Sequence, residues 1–108
     1  MVRLTISPRS SENLYGLLVQ KELALRKSKQ GTLHRYGPKR KDAEKWGHTS
    51  KRGWIRFQRC LGQVVVATIQ ARDETEEWQL LNSFIGFLDR HFRASIATIL
   101  MSYDAPES

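Results

Sequence analysis

The sequence has a single cysteine and three histidines among its 108 residues. One cysteine cannot form an internal disulfide, so the fold does not depend on an oxidising compartment. The scattered histidines do not form a four-ligand zinc pattern with the cysteine, and we predict neither a metal nor a cofactor. No apolar run approaches the roughly 18 residues that suggest a membrane span, and the N-terminus lacks the apolar core of a signal peptide. We therefore expect a cytoplasmic protein.

Motifs typical of enzymes are also lacking. The sequence contains neither a G-x-S-x-G nucleophile turn nor a phosphate loop of the G-x-x-x-x-G-K-[ST] type. Cys60 follows two arginines, but a lone cysteine is more often a small packing residue than a nucleophile. His34, His48 and His91 each stand alone, and no spacing pairs them for acid–base chemistry. We expect a protein that is not an enzyme and has no catalytic residues.

Positive charge is abundant and is concentrated in one part of the chain. The formal net charge is +7. Residues 21–59 hold thirteen Lys or Arg against three Asp or Glu, whereas residues 60–108 hold three against seven. Clustered charge of this kind predicts a binding patch for a polyanion, although a basic run can also be a solvated loop.

The first third of the chain predicts a strand and a helix. Apolar and polar residues alternate over 2–7, which is typical of a half-buried strand. A helix of about 15 residues then follows from Leu14 and ends before Gly31. Residues 31–52 are harder to interpret: Thr32–Tyr36 could form a short strand, and Lys39–Trp46 one or two helical turns. We interpret the whole of 31–52 as a basic connection that could be mobile.

Regular structure is predicted again after residue 53. Residues 54–59 alternate, with Ile55 and Phe57 on one face and Trp54, Arg56 and Gln58 on the other. A central strand is predicted over 64–69 and a helix from Asp73, whose apolar stripe supplies most of the core. A last strand is predicted over 96–103, and residues 104–108 form a polar tail.

The predicted order of elements is β-α-β-β-α-β. This order describes a single α+β domain over residues 1–108, with the ferredoxin-like sandwich as its fold. In that fold an antiparallel four-stranded sheet carries two helices on one face. The basic connection becomes a long insertion after the first helix, and the other face of the sheet stays open.

One segment resembles a known nucleic-acid-binding signature. The sequence KRGWIRF at 51–57 is similar to the basic-Gly-aromatic motif of RNA-recognition modules, which stack bases on two central strands. However, Ile55 stands where the motif has Gly or Ala, and the segment falls on the second predicted strand rather than the third. We therefore do not expect a member of that family.

The sequence instead predicts nucleic acid, RNA or DNA, or another polyanion as the partner of the basic segment 35–56. Cations would contact phosphates, and interleaved aromatic side chains would stack on bases. The segment PKRK at 38–41 also resembles a nuclear-localisation signal, a short pattern that is common by chance. The candidate binding residues are Arg35, Tyr36, Lys39, Arg40, Lys41, Lys45, Trp46, Lys51, Arg52, Trp54 and Arg56.

A second hypothesis gives the open sheet face a different role. Trp54, Val64, Val66, Thr68, Ile99 and Met101 could make that face too apolar to remain in water. A second subunit could cover it in a homodimer, or residues 31–50 could fold back over it in a monomer. The face could also bind another protein or a small ligand, with no nucleic-acid role. Neither hypothesis involves a membrane.

Overall fold

The computed structural model describes residues 1–38 and 40–103. Two helices, α1 and α2, and six strands, β1 to β6, make up these residues, together with a short 3-10 turn at Leu61–Gln63. The strands are β1 (Val2–Pro8), β2 (Leu33–Arg35), β3 (Ala43–His48), β4 (Trp54–Arg59), β5 (Val65–Gln70) and β6 (Ile96–Tyr103). The helices are α1 (Leu14–Lys27), between β1 and β2, and α2 (Glu74–Phe92), between β5 and β6.

The six strands form one antiparallel sheet in the order β2-β3-β4-β5-β1-β6. Side chains alternate between its faces along every strand. On one face, Val2, Leu4 and Ile6 of β1 are buried beside Val65, Ala67 and Ile69 of β5. The residues between them point to the opposite face, which neither helix covers.

Both helices begin at a side-chain cap. The Asn13 carboxamide oxygen accepts a hydrogen bond from Gly16 N at 3.0 Å, and the Asp73 carboxylate accepts one from Glu76 N at 2.8 Å. Each cap satisfies a donor that the first helical turn leaves unpaired. Acidic residues fill the first turn of α2, and both helices end in basic residues, so these charges complement the helix dipoles.

Aromatic contacts fix both helices to the same face of the sheet. The ring of Phe57 on β4 lies 5.6 Å from Tyr15 of α1 and 6.3 Å from Phe84 of α2, between ring centroids. Trp46 on β3 is fully buried and meets Phe57, Phe84 and Phe87 edge to face. This cluster is the centre of the core, and edge-to-face pairs add about 0.5–1.5 kcal/mol each beyond their buried area.

The predicted ferredoxin-like sandwich with four strands is wrong, because the sheet has six strands. The basic segment is not an insertion outside the sheet, since it supplies β2 and β3. Residues 43–48 form a strand rather than helical turns: Glu44 and Trp46 face the core, and Ala43 and Lys45 face away from it. A buried Glu in an otherwise polar segment conceals this alternation in the sequence.

Candidate functional site

The face of the sheet that the helices do not cover carries a row of polar and cationic residues. Lys45 of β3 is directly opposite Arg56 of β4, and Arg56 is opposite Thr68 of β5. The row continues through Arg3 of β1 to Ser102 of β6. Directly opposite residues project from the same face, so three cations lie in register across this surface. We refer to it as the open face.

An aromatic pair extends this row at the β2 end of the sheet. The ring of Tyr36 meets that of Trp54 edge to face, with centroids 5.2 Å apart. Lys45 Nζ lies 3.9 Å from the centroid of Trp54, a cation–π distance. Tyr36 is held in position because its N–H donates to the Lys45 carbonyl at 2.7 Å. The side chains of Trp54 and Tyr36 remain 37% and 48% exposed, so both rings retain surface for a ligand.

Gly47 makes room for this aromatic pair. A Cβ atom at position 47 would lie 2.7 Å from Cε2 of Tyr36 and 3.3 Å from Cζ3 of Trp54. The first distance is shorter than real Cβ contacts, so any larger residue would displace the Tyr36 ring. The contact between Tyr36 and Trp54 therefore depends on a glycine at the neighbouring position on β3.

A cleft of about 550 Å³ lies next to the aromatic pair. Its lining includes side chains from the open face together with Arg40, which forms an isolated bridge with Ala43. Three cations, Arg40, Lys45 and Arg56, therefore surround a cleft that also has Tyr36 and Gln58 on its walls. Glu44 is the one acidic residue in the described lining, and no described carboxylate lies within ion-pair distance of Lys45 or Arg56. Cations therefore outnumber carboxyl groups around the cleft, which favours anions.

The structure distributes the remaining predicted binding residues unevenly. Lys51 and Arg52 lie in the turn between β3 and β4, and exposed Lys41 precedes β3. Lys39 lies outside the described residues. Trp46 is fully buried, and Arg35 is paired with it in register, so both belong to the helix-covered side of the sheet. The surface that remains comprises Tyr36, Arg40, Lys41, Lys45, Lys51, Arg52, Trp54 and Arg56.

Only some of the apolar residues that were expected on the open face lie there. Val66 and Thr68 lie on it, opposite Gln58 and Arg56. Ile99 and Met101 do not, because they are paired with Ile6 and Leu4, which face the core. The open face therefore lacks these two apolar residues, and it carries the exposed Leu100 instead, which is opposite Thr5.

Two buried carboxylates, which were not predicted from the sequence, lie on the helix-covered side of the sheet. Glu22 of α1 bonds Arg26 Nε at 3.2 Å and His34 Nδ1 at 3.3 Å. Glu44 is 6% exposed, and among the described residues neither its Oε1 nor the Trp46 Nε1 has a hydrogen-bond partner of normal geometry. Burial raises the pKa of the Glu44 carboxyl; the nearby Trp46 indole N–H and Arg35 oppose this, and Glu22 adds to it.

Tyr15 belongs to the same buried group. Burial, followed by the charges of Glu44 and Asp42, raises the pKa of the Tyr15 hydroxyl to about 12. Because burial disfavours the ionised forms of this carboxyl and this phenol, their ionisation is coupled to the unfolding of the protein. Both residues are buried in the protein, so we assign them a structural role.

The histidines and the cysteine do not converge on one site. His34 bonds Glu22 and the Gly31 carbonyl, whereas His48 Nδ1 accepts a hydrogen bond from Ser50 N at 3.0 Å. Burial and the nearby Lys51 lower the pKa of His48. His91 packs against Phe87 and Phe92 on α2, and burial, Lys21 and Arg90 lower its pKa. Within residues 1–38 and 40–103, no group of three or more His, Cys, Asp or Glu is placed to hold a metal ion.

Comparison with models of protein families, with curated proteins and with solved structures found no match. Neither of the two described helices is long and apolar enough to cross a membrane.

The sequence analysis missed Gly47, and it placed Gln58 and Thr68 on the open face without including them among the candidate binding residues. Gln58 and Thr68 follow from the period of two on β4 and β5, once the register of the hairpin is known. Gly47 could have been found from its place between Trp46 and His48, since a glycine within a strand often marks a close approach of another group.

Proposed function

We propose that this protein binds single-stranded nucleic acid on its open face, without catalysis and in the cytoplasm. The observation that carries the proposal is the group formed by Tyr36, Trp54 and Lys45, which lies beside the cationic cleft on an uncovered sheet. Aromatic platforms next to cations suit an unpaired strand, because its bases expose their ring faces and its phosphates run alongside.

The aromatic pair supplies the base contacts in this proposal. Trp54 has Lys45 over its ring and meets Tyr36 edge to face, so its orientation is fixed before a ligand arrives. A preoriented ring loses little conformational freedom on binding. Stacking on such a ring contributes about 1–3 kcal/mol per base, which is roughly 5- to 150-fold in affinity.

The cations supply the phosphate contacts. Lys45 and Arg56 are directly opposite each other on the neighbouring strands β3 and β4. Two like charges in this position repel each other and destabilise the sheet. A bound phosphate would relieve this repulsion by placing negative charge between or beside the two side chains. Arg40 and the turn residues Lys51 and Arg52 extend the positive surface toward both ends of the strands.

The first experiment measures the affinity of labelled single-stranded and double-stranded RNA and DNA by fluorescence anisotropy over a salt series. We expect single strands to bind more tightly, with log affinity falling linearly with log salt. Trp54→Ala should weaken single-strand binding by roughly 5- to 150-fold. Trp78→Ala is the matched control, because Trp78 is an exposed tryptophan on α2, away from the open face.

The second experiment tests the cations. Replacing Arg40 and Arg56 with Gln should reduce the salt slope for single strands by about 1.4, since each lost phosphate contact reduces it by about 0.7. The control with the same loss of charge replaces Arg72 and Arg93, two exposed arginines at the ends of α2. Equal slopes in the two double variants would remove the open face from the proposal, and no binding at low salt would reject nucleic acid as the partner.

A further inference from the structure

The edge strand β6 has features that the open-face site does not use. β6 is eight residues long and lies at one end of the sheet, with β1 as its neighbour. From Ala97 to Tyr103 every residue is exposed, including Leu100 at 67% and Tyr103 at 63%. Its outer edge carries a row of backbone N–H and C=O groups that no described strand pairs.

The opposite edge of the sheet, strand β2, is protected from pairing with another chain. β2 has three residues, and it carries the polar side chains of His34 and Arg35. Short strands and charged side chains are the usual devices that prevent an edge from pairing with another chain. β6 has neither device: its sequence, IATILMSY, contains no Lys, Arg, Asp, Glu or Pro.

We infer that β6 is an interface at which two copies of this chain pair as antiparallel strands. The uncharged sequence of β6 favours a second copy as the occupant, because two β6 strands can pair without placing like charges opposite each other. The chain carries a net charge of +7, so two copies repel each other where their basic surfaces meet. β6 lies at the far end of the sheet from β3, where Lys45 is located, and it brings no like charges into opposition.

The apolar side chains of β6 are suited to a two-fold axis. An antiparallel pair centred on Leu100 places this residue against its own copy and Ile99 opposite Met101 of the partner subunit. Ile99 and Met101 share the face that carries the helices, because they are paired with Ile6 and Leu4. Two copies would therefore join the exposed ends of both cores, and one sheet of twelve strands would result.

Such a dimer also sets the distance between the two open-face sites. Seven strand spacings separate β4 of one copy from β4 of the other, which corresponds to about 34 Å. Both open faces would lie on the same side of the joined sheet, so one extended strand could reach both. The dimer itself depends only on β6 and not on nucleic-acid binding.

Sedimentation velocity of the full chain over a concentration series tests the interface. We expect the wild type to sediment as a dimer at high concentration and Leu100→Lys as a monomer throughout. Leu61→Lys is the matched control, since Leu61 is an exposed leucine in the turn before β5, and it should remain dimeric. Circular dichroism verifies that each variant keeps its fold.

Two results would overturn the inference. The first is a wild type that remains monomeric over the whole series, which would leave β6 to a strand from another protein. The second is a dimer that survives Leu100→Lys and dissociates in Trp54→Arg, which would move the interface to the open face. Slower amide exchange in β6 at high concentration would support the β6 interface independently of any substitution.

Discussion

Lys45 and Arg56 are directly opposite each other on β3 and β4, and both side chains project from the face of the sheet that no helix covers. Opposed like charges destabilise a pair of strands by about 0.2–1 kcal/mol. Lys45 also contacts the ring of Trp54, whereas Arg56 has no such contact with any ring in the part of the chain that the structure describes. Arg56 is therefore the residue at which stability and proposed function can be separated.

Arg56→Gln should raise the free energy of unfolding by about 0.2–1 kcal/mol while weakening single-strand binding. Removing one of two opposed cations relieves repulsion, and the same change removes a phosphate contact. Urea unfolding at low salt measures the first effect, and anisotropy measures the second. A variant that loses stability and keeps its affinity would show that Arg56 serves the fold rather than a ligand.

Gly47→Ala should separate the rings of Tyr36 and Trp54. Its Cβ would lie 2.7 Å from the Tyr36 ring, so that ring must move and the edge-to-face contact is lost. We expect a loss of about 0.5–1.5 kcal/mol in stability and weaker binding of single strands. Gly86→Ala on α2 is the control: nothing lies within 4 Å of its Cβ, and it should gain about 0.5–1 kcal/mol with unchanged binding. Equal effects of the two alanines would contradict the role of Gly47.

Tyr15→Phe should remove a phenol whose pKa is raised in the folded protein. The pKa of Tyr15 is raised from 10.0 to about 12 in the folded protein, so the native state keeps a proton that the unfolded chain loses. The free energy of unfolding therefore falls as the pH rises from about 10 to about 12, and the variant lacks this fall. Absorbance of phenolate, compared between wild type and variant, shows whether the missing component titrates near pH 12. A missing component near pH 10 would place Tyr15 in contact with water.

Glu44→Gln should remove a loss of stability that wild type suffers as the pH rises. Burial raises the pKa of the carboxyl above its ordinary value of 4.5, so the native state binds the proton more tightly than the unfolded chain does. Stability then decreases as the pH rises from 4.5 through the raised pKa. Urea unfolding at a series of pH values should show the variant gaining on the wild type over this range. A constant difference between them would mean that Glu44 ionises normally.

The sequence predicted some elements closely and missed others for identifiable reasons. β4, β6 and the capped start of α2 at Asp73 lie where the periodicity placed them. The capping residue and the apolar stripe of α2 are local signals, so one sequence suffices to find them. The prediction for β3 was wrong because Glu44 is buried beside Trp46. A charged residue in a sequence is normally expected to face solvent, so the alternation of this strand was not recognised.

Only part of the candidate site could be predicted from the sequence, for a similar reason. Trp54 and Arg56 were placed on the open face from the alternation of β4 alone. Whether Tyr36 and Lys45 meet Trp54 depends on the register between β2, β3 and β4, and register is a long-range property. Trp46 illustrates the same limit, because nothing local distinguishes a tryptophan that stacks on a ligand from one that fills the core.

The most direct measurement is an NMR titration that follows the indole N–H signals of the three tryptophans as a single-stranded oligonucleotide is added. Trp54 lies on the open face, Trp46 in the core and Trp78 on α2, so one spectrum contains the site and two internal controls. Binding on the open face predicts a saturable shift of the Trp54 signal, with the other two nearly unchanged. A shift of Trp78 while Trp54 stays in place would contradict it.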